Sequence, residues 1–235
     1  MTKYVKKFDR NPIGRDFAVG DIHGCFSQLR SALGIIKFDP TRDRLFSVGD
    51  LVDRGPESHL VLEWLEQPWF HAIQGNHEEM AIVWGHMGES VDDYRRHGGA
   101  WLMDMSREDQ LPYVNTLANL PYAMQIETSG GPVGLVHADL PETTWRGFVQ
   151  RMHNDASHEE IEEAKENILW SRQRYMKRHA FAPIIPDVRA VVVGHTTLPE
   201  FFQLGNIHYL DTGGWTPQGH FTFLDLATLQ AIPAK

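Results

Sequence analysis

A chain of 235 residues, 42% hydrophobic and 23% charged, has ordinary globular composition and enough length to bury a sizeable core. Its formal net charge of -9 argues against an overall electrostatic grip on nucleic acid or an anionic membrane, so neither is an expected partner. No apolar run approaches the roughly 18 residues of a membrane span. The opening stretch Met1 to Asp16 is polar and mixed in charge, and the single cysteine, Cys25, cannot form an internal disulfide. A cytoplasmic protein is expected, with residues 1–235 forming one domain.

In chain order, short apolar runs rich in Val, Ile and Phe end in Gly-Asp, Gly-Asn or Gly-His pairs, the pattern of buried strands feeding tight turns. Strands are expected at Phe17 to Gly20, Arg44 to Gly49, Phe70 to Gln74, Val133 to Val136 and Ala190 to Gly194. Amphipathic helices are expected between them, at Phe26 to Ile36, Leu60 to Leu65 and Glu78 to Trp84. Thr128-Ser129-Gly130-Gly131 reads as a hairpin turn that sets Tyr122 to Ile126 antiparallel to the strand ending at Val136. Ser157-His158-Glu159-Glu160 has the Ser-x-x-Glu form of a capping box opening a surface helix. The last strand is expected at Phe221 to Leu226.

The chemistry gathers at the strand ends. Gly20-Asp21-Ile22-His23-Gly24 places a carboxylate and an imidazole two residues apart between glycines. Gly49-Asp50-Leu51-Val52-Asp53-Arg54-Gly55 adds two carboxylates and an arginine, and Gly75-Asn76-His77-Glu78 adds an amide oxygen and an imidazole. Taken singly, these fragments have plain readings as a surface turn, a salt-bridged turn and an Asn-capped helix start. Taken together, and joined by His137 after one strand and His195 after another, they predict convergence outside the carboxyl ends of the strands of an α/β sheet. Oxygen and imidazole ligands without thiolates suit Mn, Fe or Zn better than Ca or Mg, and disfavour a structural zinc site.

The series Gly-Asp-x-His-Gly, Gly-Asp-x-Val-Asp-Arg-Gly, Gly-Asn-His-Glu resembles the metallophosphoesterase signature. More narrowly, it is similar to the phosphoprotein phosphatase family, including the bacterial and lambda-phage-type serine/threonine protein phosphatases, over nearly the whole chain. The resemblance implies a four-layer α/β/β/α sandwich of two mixed sheets. It also implies two divalent ions, manganese first by family habit, with Fe or Zn as alternatives. Asp21 and His23 would hold the first, Asn76, His137 and His195 the second, and Asp50 would bridge them. Two such ions with Asp21, Asp50 and a bridging hydroxide leave a net positive site for an anionic substrate. His77 would be the general acid with Asp53 orienting it, and Arg54 and Arg172 would hold the phosphate. Arg174 lies close to Arg172 in sequence.

The implied reaction is in-line attack of the hydroxide on a phosphate monoester of serine or threonine in a protein or peptide, with phosphotyrosine a further class. The rival enzyme reading is a symmetrical dinucleoside tetraphosphate hydrolase or another small-molecule phosphatase. A metal-binding scaffold would have no need of Asp53, Arg54 and His77. Thr197 stands where many nucleases of the wider superfamily carry a second histidine in Gly-His-x-His, which favours the phosphatase branch. His208 and Cys25 read as structural, Glu78 as a partner of an active-site group, and Trp64, Trp69 and Trp101 as core or rim.

Overall fold

The computed structural model describes residues 4–88, 91–140, 142–152, 156–178 and 184–235. Strands β1 (Val5–Phe8), β2 (Asp16–Val19), β3 (Arg44–Ser47), β4 (Phe70–Ala72), β5 (Ala123–Ile126), β6 (Val133–Val136), β7 (Ala190–Val193), β8 (Phe202–Leu204), β9 (Ile207–Tyr209), β10 (Phe221–Asp225) and β11 (Ala231–Ala234) form two sheets. One has the order β1-β5-β6-β7-β9-β8 and the other β11-β10-β2-β3-β4. Both are mixed: β2, β3 and β4 run parallel, as do β6, β7 and β9, while β10 and β5 are antiparallel to the neighbours β2 and β6.

The helices are α1 (Phe26–Ile35), α2 (Val61–Leu65), α3 (Asn76–Met87), α4 (Val91–Arg96), α5 (Ala100–Met103), α6 (Arg107–Ala118), α7 (Trp145–Arg151), α8 (His158–Trp170) and α9 (Gln173–Met176). Side-chain alternation along the strands sorts the layers. Phe17, Val19 and Leu45 face a core shared with residues of α1, α2, α3 and α6, whereas Ala18 and Phe46 face the space between the sheets. In the other sheet Val191 and Val193 face α7 and α8, and Ala190 and Val192 point inward to meet Phe46 and Val48. Strands buried on both faces explain why the sequence shows continuous apolar runs. The resulting order is helix, sheet, sheet, helix.

The expected strands are present within two residues of their expected ends, and the hairpin pairs Ala123 with Val136. The capping box at Ser157 is formed, its hydroxyl accepting from the Glu160 N–H while Glu160 accepts from the Ser157 N–H. Three edge strands, β1, β8 and β11, depart from expectation. β1 joins β5, although Lys6 and Lys7 on it are exposed and give it no apolar signature. β11 follows the expected last strand and carries Pro233, which a sheet edge tolerates. α6 also holds Pro112 in its interior. Among the described residues no helix is long and apolar enough to cross a membrane.

Candidate metal centre and phosphate site

Five loops meet where the carboxyl ends of β2, β3 and β4 face those of β6 and β7. The loops after β2, β3 and β7 turn sharply, and they do so in left-handed backbone. His23, Asp50, Asp53, Arg54 and His195 all have φ between 46° and 69°, five of the seven non-glycine residues with positive φ among those described. Such strain persists only where surrounding contacts enforce it. The glycines before Asn76 and His195 are required for a different reason: a Cβ at Gly75 would collide with Asp50 Oδ1, and one at Gly194 with Asp21 Oδ1.

Asp50 lies at the centre. Ligand atoms of His23, Asp50 and His77 lie within 4.8 Å of one another, and so do those of Asp50, His137 and His195, so one carboxylate is common to both groups. Its Oδ2 is 3.5 Å from His23 Nε2, and its Oδ1 is 3.4 Å from His137 Nε2. Asp21 Oδ2 stands 4.0 Å from His23 Nε2, while both Asp21 oxygens accept the His195 backbone N–H at 3.1 and 3.2 Å. Asn76 begins α3 without capping it. Its Oδ1 instead faces His137 Nε2 at 2.9 Å and His195 Nδ1 at 3.0 Å.

The remaining ring nitrogens fix the tautomers. His23 Nδ1 donates to the Val52 carbonyl at 3.0 Å, His137 Nδ1 to Val48 at 2.8 Å, and His195 Nε2 to Trp170 at 3.1 Å. The second nitrogen of each ring is then a lone pair aimed into the centre, the arrangement seen for imidazole ligands. Burial pulls the pKa of all three rings down, that of His195 to about 3, so they stay neutral and competent to bind a cation. Burial, with Asp211 and Asp50 nearby, pushes Asp21 up. Lone pairs of Asn76, His137 and His195 crowded with buried carboxylates form a donor set that a divalent cation relieves, so these residues fit a metal centre.

Beside this set lies a second constellation. Fully buried Asp53 accepts from His77 Nδ1 at 2.8 Å, and His77 Nε2 is buried with no hydrogen-bond partner among the described residues. Burial would lower the His77 pKa, but Asp50 and the bond to Asp53 outweigh it and the net shift is upward. Arg54 Nη1 contacts His23 Nε2 at 3.1 Å, and its guanidinium lies 4.5 Å from the centre of the Trp215 ring. Arg172 donates to the His195 carbonyl at 3.1 Å, whereas Arg174 is turned away into an ion pair with Asp139 at 2.6 Å. All ten residues expected at the site are brought to this one region.

Other residues support it. Glu78 accepts the backbone N–H groups of Asp50, Leu51, Val52 and Gly75 at 2.7 to 3.3 Å, pinning the β3 loop to the start of α3. Thr197 donates to Asp211 at 2.6 Å. Cys25 is buried, with its thiol toward the His23 carbonyl. His208 is buried on β9, its ring 5.7 Å from Phe201. Trp64 and Trp69 pack in the helix-side core, but the reading of Trp101 as core or rim is incomplete, because its Nε1 donates to Asp53 Oδ1 at 2.7 Å. Tyr94 and Trp215 escaped the sequence reading altogether, since a single aromatic residue in a polar stretch carries no signal of what it will touch.

A calcineurin-like phosphoesterase model matches residues 17–210. The chain is 34% identical over 202 residues to serine/threonine-protein phosphatase 1 of Salmonella typhimurium, covering 84% of this chain and 85% of that one. It is 30% identical over 154 residues to a symmetrical bis(5'-nucleosyl)-tetraphosphatase of Methylococcus capsulatus, covering 59% of this chain and 55% of that one. The fold is similar to that of a protein serine/threonine phosphatase from Saccharomyces cerevisiae, with a TM-score of 0.64, 18% identity, and coverage of 96% of this chain and 77% of that one. The chain belongs to the calcineurin-like phosphoesterase family, the metallophosphoesterases.

Proposed function

We propose that this chain is a protein phosphatase that hydrolyses phosphoserine and phosphothreonine, with phosphotyrosine as a further class, through a centre holding two divalent ions, manganese first. The observation that carries this reading is Asp50 shared between two groups of possible ligand atoms, one of which includes His77, whose Nε2 has no hydrogen-bond partner among the described residues. Asp21, His23 and Asp50 would hold one ion, and Asp50, Asn76, His137 and His195 the other. When bound, the ions supply the Lewis acidity and positive charge that phosphoryl transfer to water needs.

The protein's own groups supply the rest. Arg54, beside His23, and Arg172, beside His195, hold the phosphoryl oxygens, and a guanidinium fork matches that geometry. His77, oriented through Nδ1 by Asp53, presents Nε2–H to the leaving oxygen and gives it the proton an alkoxide requires. His77 is therefore assigned as the acid although its nitrogen lies within ligand distance of Asp50: a ring whose partner nitrogen is bonded to a carboxylate, and whose pKa is raised, is suited to carry a proton.

Similarity to a relative named serine/threonine-protein phosphatase, over 85% of that relative's length, favours a protein substrate. Similarity to relatives named tetraphosphatase supports the alternative of a dinucleoside tetraphosphate substrate, with less of the chain in common. Phosphate release from phosphoserine, phosphothreonine and phosphotyrosine peptides, compared with turnover of diadenosine tetraphosphate by the same manganese-loaded protein, separates the two. Peptide turnover exceeding that of the dinucleotide by tenfold or more is expected for the protein phosphatase, and the reverse ranking would replace it with the hydrolase.

A further inference from the structure

The α4–α5 segment is closed over the back of the Asp53–Arg54 turn. Asp53 is fully buried, and its two oxygens are divided between partners: Oδ2 takes His77 Nδ1 at 2.8 Å, while Oδ1 takes the Tyr94 hydroxyl at 3.1 Å and Trp101 Nε1 at 2.7 Å. Tyr94 is itself buried to 1% exposure, and Gly99 packs so close to its ring that a Cβ there would enter it. Gly98, at φ 104°, packs on the Arg54 backbone so closely that a Cβ would strike Arg54 N. Asp53 and Arg54 both sit in left-handed backbone, at φ 69° and 64°. One segment therefore touches the turn at the carboxylate and at the strained backbone.

We infer that Tyr94 and Trp101 are positioning residues for phosphoester cleavage, holding Asp53 so that His77 keeps Nε2 aimed at the leaving oxygen. This inference rests on the assignment of His77 as the general acid. A carboxylate held through a single hydrogen bond can rotate about its own axis and swing its partner ring with it. Two donors on the opposite oxygen, one from each side of the α4–α5 turn, remove that freedom. Both donors are neutral, so they fix direction without offering a competing charge. An indole and a phenol also fill the space behind the carboxylate and keep water from taking their place. The segment that supplies both donors also supports Arg54, which couples the acid side of the site to its phosphate-holding side.

The test compares wild type, Tyr94→Phe, Trp101→Phe, the double variant and His77→Asn on an alkyl phosphate and on p-nitrophenyl phosphate, whose leaving group needs no proton. Metal content and melting temperature are measured on the same samples. Tyr94→Phe removes one oxygen and keeps the ring, so it remains informative if Trp101→Phe loosens the fold. The expected result is a fall in kcat on the alkyl phosphate of about tenfold for each single variant, the range for loss of an orienting partner, with KM little changed. On p-nitrophenyl phosphate kcat should stay within about twofold of wild type. Equal losses on both substrates, or none on either, while His77→Asn does discriminate between them, would overturn the positioning role alone. Failure of His77→Asn to discriminate would overturn the acid assignment and the inference with it.

Discussion

His137 Nε2 stands 2.9 Å from Asn76 Oδ1, although the other nitrogen of the same ring already donates its proton to the Val48 carbonyl. Two acceptors facing one another in a buried site are unfavourable by themselves, and His195 Nδ1 adds a third lone pair at 3.0 Å. A cation between them turns repulsion into coordination. Nearby Asp50, within reach of His23 on one side and His137 on the other, extends the same logic to a second cation.

Replacement of Asp50 by Asn should therefore affect both ions. Metal content after dialysis should fall below two per chain, and turnover should drop by about a hundredfold or more, since the shared ligand is lost from both groups. Elemental analysis of the dialysed variant checks this, and two tightly held ions would refute the bridging role.

His77→Asn should reduce kcat on alkyl phosphates by about 10² to 10³ and spare p-nitrophenyl phosphate to within about tenfold, as expected when only the protonation of the leaving group is lost. Steady-state kinetics on the two substrates at matched metal content gives the ratio. A ratio near one would remove His77 from the acid role.

Glu78 should matter for folding more than for chemistry. Its carboxylate satisfies four buried backbone N–H groups, and Glu78→Ala would leave them without acceptors at a cost of about 3 kcal/mol or more. Urea unfolding midpoints measure that loss, and Glu78→Gln, which keeps one carbonyl oxygen, should lose less.

The stability of the protein in mild acid should depend on His208. Burial, with Arg189 nearby, lowers its pKa from 6.5 to about 4, so the fold holds it neutral. A base whose folded pKa is depressed contributes stability that is complete above pH 6.5 and is lost as the pH falls toward 4. Between pH 7 and pH 4.5, His208→Phe should lose less stability than wild type by on the order of 2 kcal/mol, read from urea midpoints at the two values. Parallel losses in the two proteins would show that the ring is not the group being protonated.

Four of the five candidate metal loops, all but that of His137, were legible because each pairs a strand end with a glycine and a ligand type, and at Gly75 and Gly194 the carboxylates of Asp50 and Asp21 occupy the space of a side chain. The layer order was legible in the resemblance, and the alternation of Phe17 and Val19 against Ala18 shows it directly. Arg172 and Arg174 could not be separated by spacing. Their difference is tertiary, set by Asp139, which takes Arg174. Trp101 and Tyr94 were hidden for the same reason, since their polar atoms meet Asp53 across 48 and 41 residues. β1, β8 and β11 were missed because Lys6 and Lys7, Gln203 and Pro233 are exposed and interrupt their apolar pattern.

Under the proposed function, turnover depends on two ions held at Asp50. The most direct measurement is phosphate release from a phosphoserine peptide by metal-stripped protein titrated with manganese. Release should be negligible without metal and rise to saturation at about two equivalents per chain. Full turnover by protein shown to hold no metal would contradict it.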